Sequence, residues 1–258
     1  MSEFYKPLLE RIPVGKVAFD QFNMESAANL VKELAIAKVG VAIRLSNAYC
    51  VAMAASDPEY CALLNGPGIN LADGSPVAWL LKRVSINPAA VGRVRGPSLF
   101  VKILDEGRAV GLRHYFLGST EDNLQRIETR STIELPGISI AGSYSPPFGP
   151  LNQAFYDTCV SKVRKSGANI LWVGLGSPKQ DYACAILAYE LGIPCLGVGA
   201  AFDFYAGTVR EAPVFLQRYG LEWIYRLASE PRRLWRRYVF GNVQFGISVL
   251  REFRRSEK

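Results

Sequence analysis

NILWVGLGSPKQD, residues 169–181, decides the reading of the fold. Residues 169–175 form an apolar run of strand length with no alternation of polar residues, as a strand covered on both faces requires. Gly174-Leu-Gly-Ser-Pro then turns the chain, and Lys179-Gln180-Asp181 opens a helical pattern. Buried strand, tight turn and helix together make the repeating unit of a parallel sheet layered by helices.

The same rhythm extends outward in both directions. Strand patterns occur at 114–117 (HYFL), 137–142 (GISIAG) and 194–199 (PCLGVG), with helical patterns between most of them. Towards the N-terminus, 12–20 reads as one or two short strands. Asn23 can cap a helix carrying Ala27, Leu30, Val31 and Leu34 on one face. The apolar run 48–55 (AYCVAMAA) is expected as a buried strand, and Asp57-Pro58 opens a helix to about Leu64. Residues 65–76, rich in Gly, Pro, Asn and Asp, are expected as a loop, after which Ser75-Pro76 caps and starts the next helix. The fold expected is α/β: a Rossmann-like, mostly parallel sheet with helices on both faces. Ligands of such sheets bind beyond the carboxyl ends of the strands, which directs attention to the loops after Ala55, Leu117, Gly142, Leu175 and Gly199.

Near Ala206 the strands stop. Residues 1–208 are read as the α/β core and 209–258 as a basic, aromatic, helical appendage that associates with a membrane, broken at Ser229 and Pro231. The chain carries a net charge of +7. From Arg210 onward ten arginines and one lysine stand against five glutamates, so nearly all of the excess lies in this last fifth. A charge so placed points to an anionic partner: a membrane surface, a diphosphate or a nucleic acid. No nucleic-acid module is visible. Five scattered cysteines without a CxxC pair argue against a disulfide framework or a zinc site and for a reducing compartment. Charges within residues 1–20 break any leader-like apolar run, and no stretch reaches the roughly 20 apolar residues of a membrane span.

Four segments can carry chemistry. Asp73, in NLADGSPVAW, is either an ordinary Asp-Gly turn before a helix or a carboxylate at the ligand edge able to act as a general base. The Gly174–Asp181 turn suits a phosphate, yet it is neither a Walker A loop nor GxGxxG, since Lys179 holds the third glycine's place. By itself it fits a plain strand–turn–helix connection as well. Asp203, in GVGAAFDFYAG, is either a buried structural aspartate or a ligand-edge carboxylate. Arg226, Arg233 and Arg236 form either a solvated basic face or, with Trp223, Tyr225, Trp235 and Tyr238 between them, a surface for a membrane or a stacked ligand. No DxD pair occurs, so the common metal–diphosphate site lacks its ligands and no metal or cofactor is expected. With His114 the single histidine and no GxSxG, a serine-hydrolase reading is poor.

Taken together and in order, LADGSPVAW, GRVRGPSL, YFLGST, WVGLGSPKQD, GVGAAFDFYAG and GLEWIYRLASEPRRLWRRY resemble the WecG/TagA/CpsF family of bacterial glycosyltransferases over about residues 12–240. The resemblance implies inverting transfer from a UDP-sugar to an acceptor on polyprenyl diphosphate, for cell-surface or exopolysaccharide synthesis. It implies a cytoplasmic protein held peripherally on the inner membrane face. Asp73 matches the family's proposed base. Arg226, Arg233 and Arg236 match arginines thought to complete the site and hold diphosphate. Gly174, Gly176, Lys179, Gln180 and Asp203 fall on the donor and diphosphate side, and Ser56, Asp57 and Arg93 on the acceptor or sugar side. Four places depart from the family pattern: Ala55-Ser56-Asp57 stands for Thr-x-Asn, Asp181 for Glu, Glu211 for Arg and Ser98 for Asp. The partners expected are the UDP-sugar, the lipid-linked acceptor and the membrane surface, with no nucleic acid and with a second copy of the chain as a candidate. An NAD-type oxidoreductase and a non-catalytic membrane-bound binding protein are the competing readings.

Overall fold

The computed structural model describes residues 10–256, apart from the side chains at 233, 236–240 and 253–256 of the last helix. The chain opens with an antiparallel hairpin, β1 (Ile12–Val14) and β2 (Val17–Phe19). Asn23 caps α1 (Met24–Ile36) through a reciprocal pair of bonds with Ser26. Then follow β3 (Ala42–Ser46), α2 (Ala48–Ser56), α3 (Pro58–Asn65), β4 (Ile69–Ala72), α4 (Ser75–Val84) and α5 (Gly96–Glu106), which ends in a 3-10 turn. The alternation continues with β5 (Arg113–Gly118), α6 (Glu121–Glu134), β6 (Ser139–Tyr144), α7 (Gln153–Ser166), β7 (Ile170–Gly174), α8 (Lys179–Leu191), β8 (Cys195–Gly197) and α9 (Ala201–Tyr205). The chain finishes with α10 (Val214–Arg218), α11 (Glu222–Ser229) and α12 (Pro231–Ser256).

Six strands form one sheet in the order β4-β3-β8-β7-β5-β6, and every neighbouring pair is parallel. Both faces are covered. In β7, Ile170 and Trp172 face α1, α5 and α9, where Phe100 meets the Trp172 ring edge-on at 4.9 Å. Leu171 and Val173 face α7 and α8. This two-sided burial explains why β7 reads as an unbroken apolar run.

Two expectations are corrected, and one strand is added. The run 48–55 is the helix α2, not a strand. Asn47 starts it by accepting from the backbone N–H groups of Tyr49 (3.0 Å) and Cys50 (3.4 Å). Apolar partners surround α2, so its sequence shows no polar face. The Gly- and Pro-rich stretch 65–76 contains β4, short and wholly buried. β3 was not anticipated because Arg44 interrupts its apolar run, yet Arg44 is buried and donates to the Pro67 carbonyl at 2.7 Å. Two boundaries also shift. Gly74 takes the cap position of α4 with φ +137°, a conformation that favours glycine. Ser229 closes α11 by donating to the Tyr225 carbonyl rather than capping α12.

The segment from residue 209 is helical, as read. α12 lies along α2: a Cβ at Gly241 would stand 3.1 Å from the Tyr49 ring, and Phe245 and Val249 join the apolar cluster of the hairpin, α2 and α4. Among the described residues, no helix is long and apolar enough to cross a membrane. All five cysteines are free thiols.

Candidate active site

At the carboxyl edge of the sheet, Asn47 follows β3 and Asp73 follows β4. The backbone N–H of Asp73 donates to the Ser46 carbonyl at 3.0 Å, which continues the β3–β4 ladder by one residue. The Gly74 turn then drops the N-terminus of α4 beside this pair.

The stretch 91–95 runs along the end of β4, with the Val94 N–H donating to the Ala72 carbonyl at 2.8 Å. Val94 is buried in the core. Alternation therefore turns Arg93 and Arg95 together towards Asp73. Burial makes the Arg93 guanidinium easier to deprotonate than usual; the nearby Asp73 charge opposes this and Arg95 adds to it.

The C-terminal segment closes the other side. Gly220 sits against Ser75 so tightly that a Cβ would come within 2.7 Å of its side chain, and its φ is +72°. Glu222, in the first turn of α11, accepts from the Nε of Arg95 at 2.7 Å and bridges to Arg93. Glu211 accepts from Arg95 at 2.6 Å. One turn beyond Glu222, Arg226 lies over the Phe204 ring at 5.4 Å, and Arg95 approaches the same ring at 5.9 Å. The Nε atoms of Arg93 and Arg226 are buried without a hydrogen-bond partner among the described residues. The cavity between them measures about 370 Å³ and is lined by Asn47, Asp73, Arg93, Arg95, Trp223 and Arg226 among others, with Asn242 and Phe245 supplied by α12.

A second polar cluster lies along the same edge. Strand spacing puts β7 three steps, about 14 Å, from β4. Gly174 presses on Phe202, where a Cβ would come within 2.5 Å, and Gly176 turns with φ +76°. Gln180 is buried: its Oε1 accepts from the Gly176 N–H at 3.1 Å and its side chain leans on Gly197 and Gly199. It braces the turns after β7 and β8 together. Lys179 reaches back to the Gly149 carbonyl and lies over the Phe148 ring. Asp203 accepts from the Asn123 amide at 2.9 Å, and Asn123 also donates to Ser119 at the end of β5.

The structure thus gathers Asp73, Arg93 and Arg226 in one cavity and Gly174, Gly176, Lys179, Gln180 and Asp203 farther along the edge. Ser56 and Asp57 stand away from both. Ser56 is exposed at the far end of α2 and donates to the Met53 carbonyl, and Asp57 caps α3 through Tyr60 N–H. Arg233 and Arg236 lie in α12, but their side chains fall outside the described residues. Sequence reasoning missed Asn47, Arg95, Phe204 and Glu222. The alternation in GRVRG was the available signal for Arg95, and a polar residue directly after a buried strand was the signal for Asn47.

This arrangement offers a carboxylate at the mouth of a parallel sheet, cations aimed at the same space and no partner among the described residues for two of their nitrogens. It suits proton abstraction beside an accumulating negative charge. Among the described residues, no group of three His, Cys, Asp or Glu side chains is placed to hold a metal ion. The chain is 32% identical over 208 residues to the N-acetylglucosaminyldiphosphoundecaprenol N-acetyl-beta-D-mannosaminyltransferase of Bacillus spizizenii, with 80% of this chain and 77% of that protein covered. Residues 12–258 match the glycosyl transferase WecG/TagA/CpsF family. The chain therefore belongs to the WecG/TagA/CpsF family and is a glycosyltransferase.

Proposed function

We propose that this enzyme moves a hexose from a UDP-sugar to a hydroxyl of a sugar carried on polyprenyl diphosphate, with inversion at the anomeric carbon. The observation that carries the reading is the shared cavity of Asp73 with Arg93 and Arg226. Asp73 takes the proton of the acceptor hydroxyl as its oxygen bonds to the anomeric carbon. The bond from that carbon to the UDP oxygen breaks, and the leaving diphosphate carries the charge away. Arg93 and Arg226, which line the same cavity, meet that charge without a metal. The relative's name supports N-acetylglucosaminyl diphosphate as the head of the acceptor and N-acetylmannosamine as the first donor sugar to try.

The enzyme works on the inner membrane face, where its arginine-rich C-terminal segment meets anionic lipid. α11 sets Trp223 and Ile224 partly or largely in solvent, and α12 does the same with Trp235 and Leu250. This aromatic and cationic texture suits an interface. The test is a screen of UDP-hexoses against N-acetylglucosaminyl diphosphate on a short polyprenol, read by product mass and anomeric configuration. A retained configuration, or no transfer from any UDP-sugar, would overturn the reading.

A further inference from the structure

The acceptor's head has a place in the Asp73 cavity, and its apolar tail needs one too. α4 and α12 both leave that cavity and run on to a second concavity of about 130 Å³. Ser75 and Pro76 of α4 line the first, and Leu80 and Val84 line the second. Asn242 and Phe245 of α12 line the first, and Val249 lines the second. Pro13 and Val14 of the hairpin form the floor. From Pro76 to Val84 the helix rises about 12 Å, a distance that a few isoprene units cover. Apart from Glu252, this groove offers only aliphatic side chains and the Gly15 turn. Val84 is half exposed.

The two ends therefore differ as the two ends of an amphiphile do. One presents polar side chains, Asn47, Ser75 and Asn242 among them; the other presents hydrocarbon along the same pair of helices. We infer that the groove between α4, α12 and the β1–β2 hairpin seats the first isoprene units of the acceptor while its sugar lies beside Asp73. This rests on the reading of the acceptor as lipid-linked. The groove makes the enzyme sensitive to the tail itself, beyond any concentrating effect of the bilayer.

The test is equilibrium binding without donor, below the critical micelle concentration. Two probes carry the same N-acetylglucosaminyl diphosphate, one esterified to farnesol and one to propanol. The wild-type protein is expected to bind the farnesyl compound at least roughly tenfold more tightly, since burying about two methylenes gains that factor. Val84→Asp, at an exposed position, and Val249→Asp should each bring the farnesyl affinity down to that of the propyl compound and leave the propyl compound unchanged. Equal binding of the two probes by the wild type would overturn the groove while leaving the acceptor reading intact. A preference retained in both variants would do the same. If the variants instead lost retention on phosphatidylglycerol vesicles free of acceptor and kept the farnesyl preference, the groove would be a bilayer contact and the inference wrong. Binding of neither probe would remove the acceptor reading, and the groove with it.

Discussion

The carboxylate of Glu222 accepts from the Nε of Arg95 at 2.7 Å and also bridges to Arg93, two arginines that precede it by more than a hundred residues. This contact fastens α11 to the end of β4 and sets Arg226 one turn farther on over the Phe204 ring. The C-terminal segment thereby forms one wall of the cavity that holds Asp73.

Removing that clamp should loosen the wall. In Glu222→Ala, two neighbouring guanidinium groups lose a shared carboxylate, and amide exchange across residues 214–229 is expected to rise by roughly tenfold or more, about 1.4 kcal/mol. Gly220→Val should act alike without touching charge, because its side chain would collide with Ser75 in a conformation that favours glycine. Hydrogen exchange read by mass spectrometry decides this. Unchanged protection in both variants would mean that α11 docks by other contacts.

Gln180 offers a separate handle on the second cluster. Gln180→Leu keeps the approximate volume but leaves the Gly176 N–H without its acceptor. An unpaired buried donor costs about 1–3 kcal/mol, so urea unfolding should shift by that amount. KM for the UDP-sugar should rise more than that for the acceptor, since the turn after β7 lies away from Asp73. Equal rises in both would place the donor elsewhere.

His114 couples stability to acid. It is fully buried, its Nδ1 accepts from the Trp172 indole at 3.1 Å, and burial lowers its pKa from 6.5 to about 4. Between those values the unfolded chain binds a proton that the folded protein does not, so stability falls as the pH drops from 6.5 towards 4 and is level above. The loss approaches about 3 kcal/mol. Melting of His114→Gln against pH should lack this component while the glutamine oxygen keeps an acceptor for Trp172. An unaltered pH slope would exclude His114 as its source.

What the sequence revealed and what it hid have physical causes. β7 and β8 were legible because strands buried on both faces tolerate little but apolar residues. α2 was misread because burial all round removes the periodicity that marks a helix, leaving only Asn47 as its start signal. β3 stayed hidden behind Arg44, a charge buried among backbone carbonyls and the Asp181 and Tyr60 side chains. In the site, Asp73 and Arg226 were legible as members of motifs. Glu222 was not, because its role exists only through a contact across the fold. Two departures from the family pattern also meet in space. Ser98 and Glu211 both accept from Arg95.

In the proposed mechanism Asp73 removes the acceptor proton. The direct measurement is single-turnover transfer by Asp73→Asn, paired with UDP-sugar binding to the same protein. General-base assistance is worth about 10²–10⁴-fold, so the rate should fall by that factor while donor affinity stays within about twofold of the wild type. Transfer at a near-normal rate would contradict the claim and leave Asp73 as no more than the turn that starts α4.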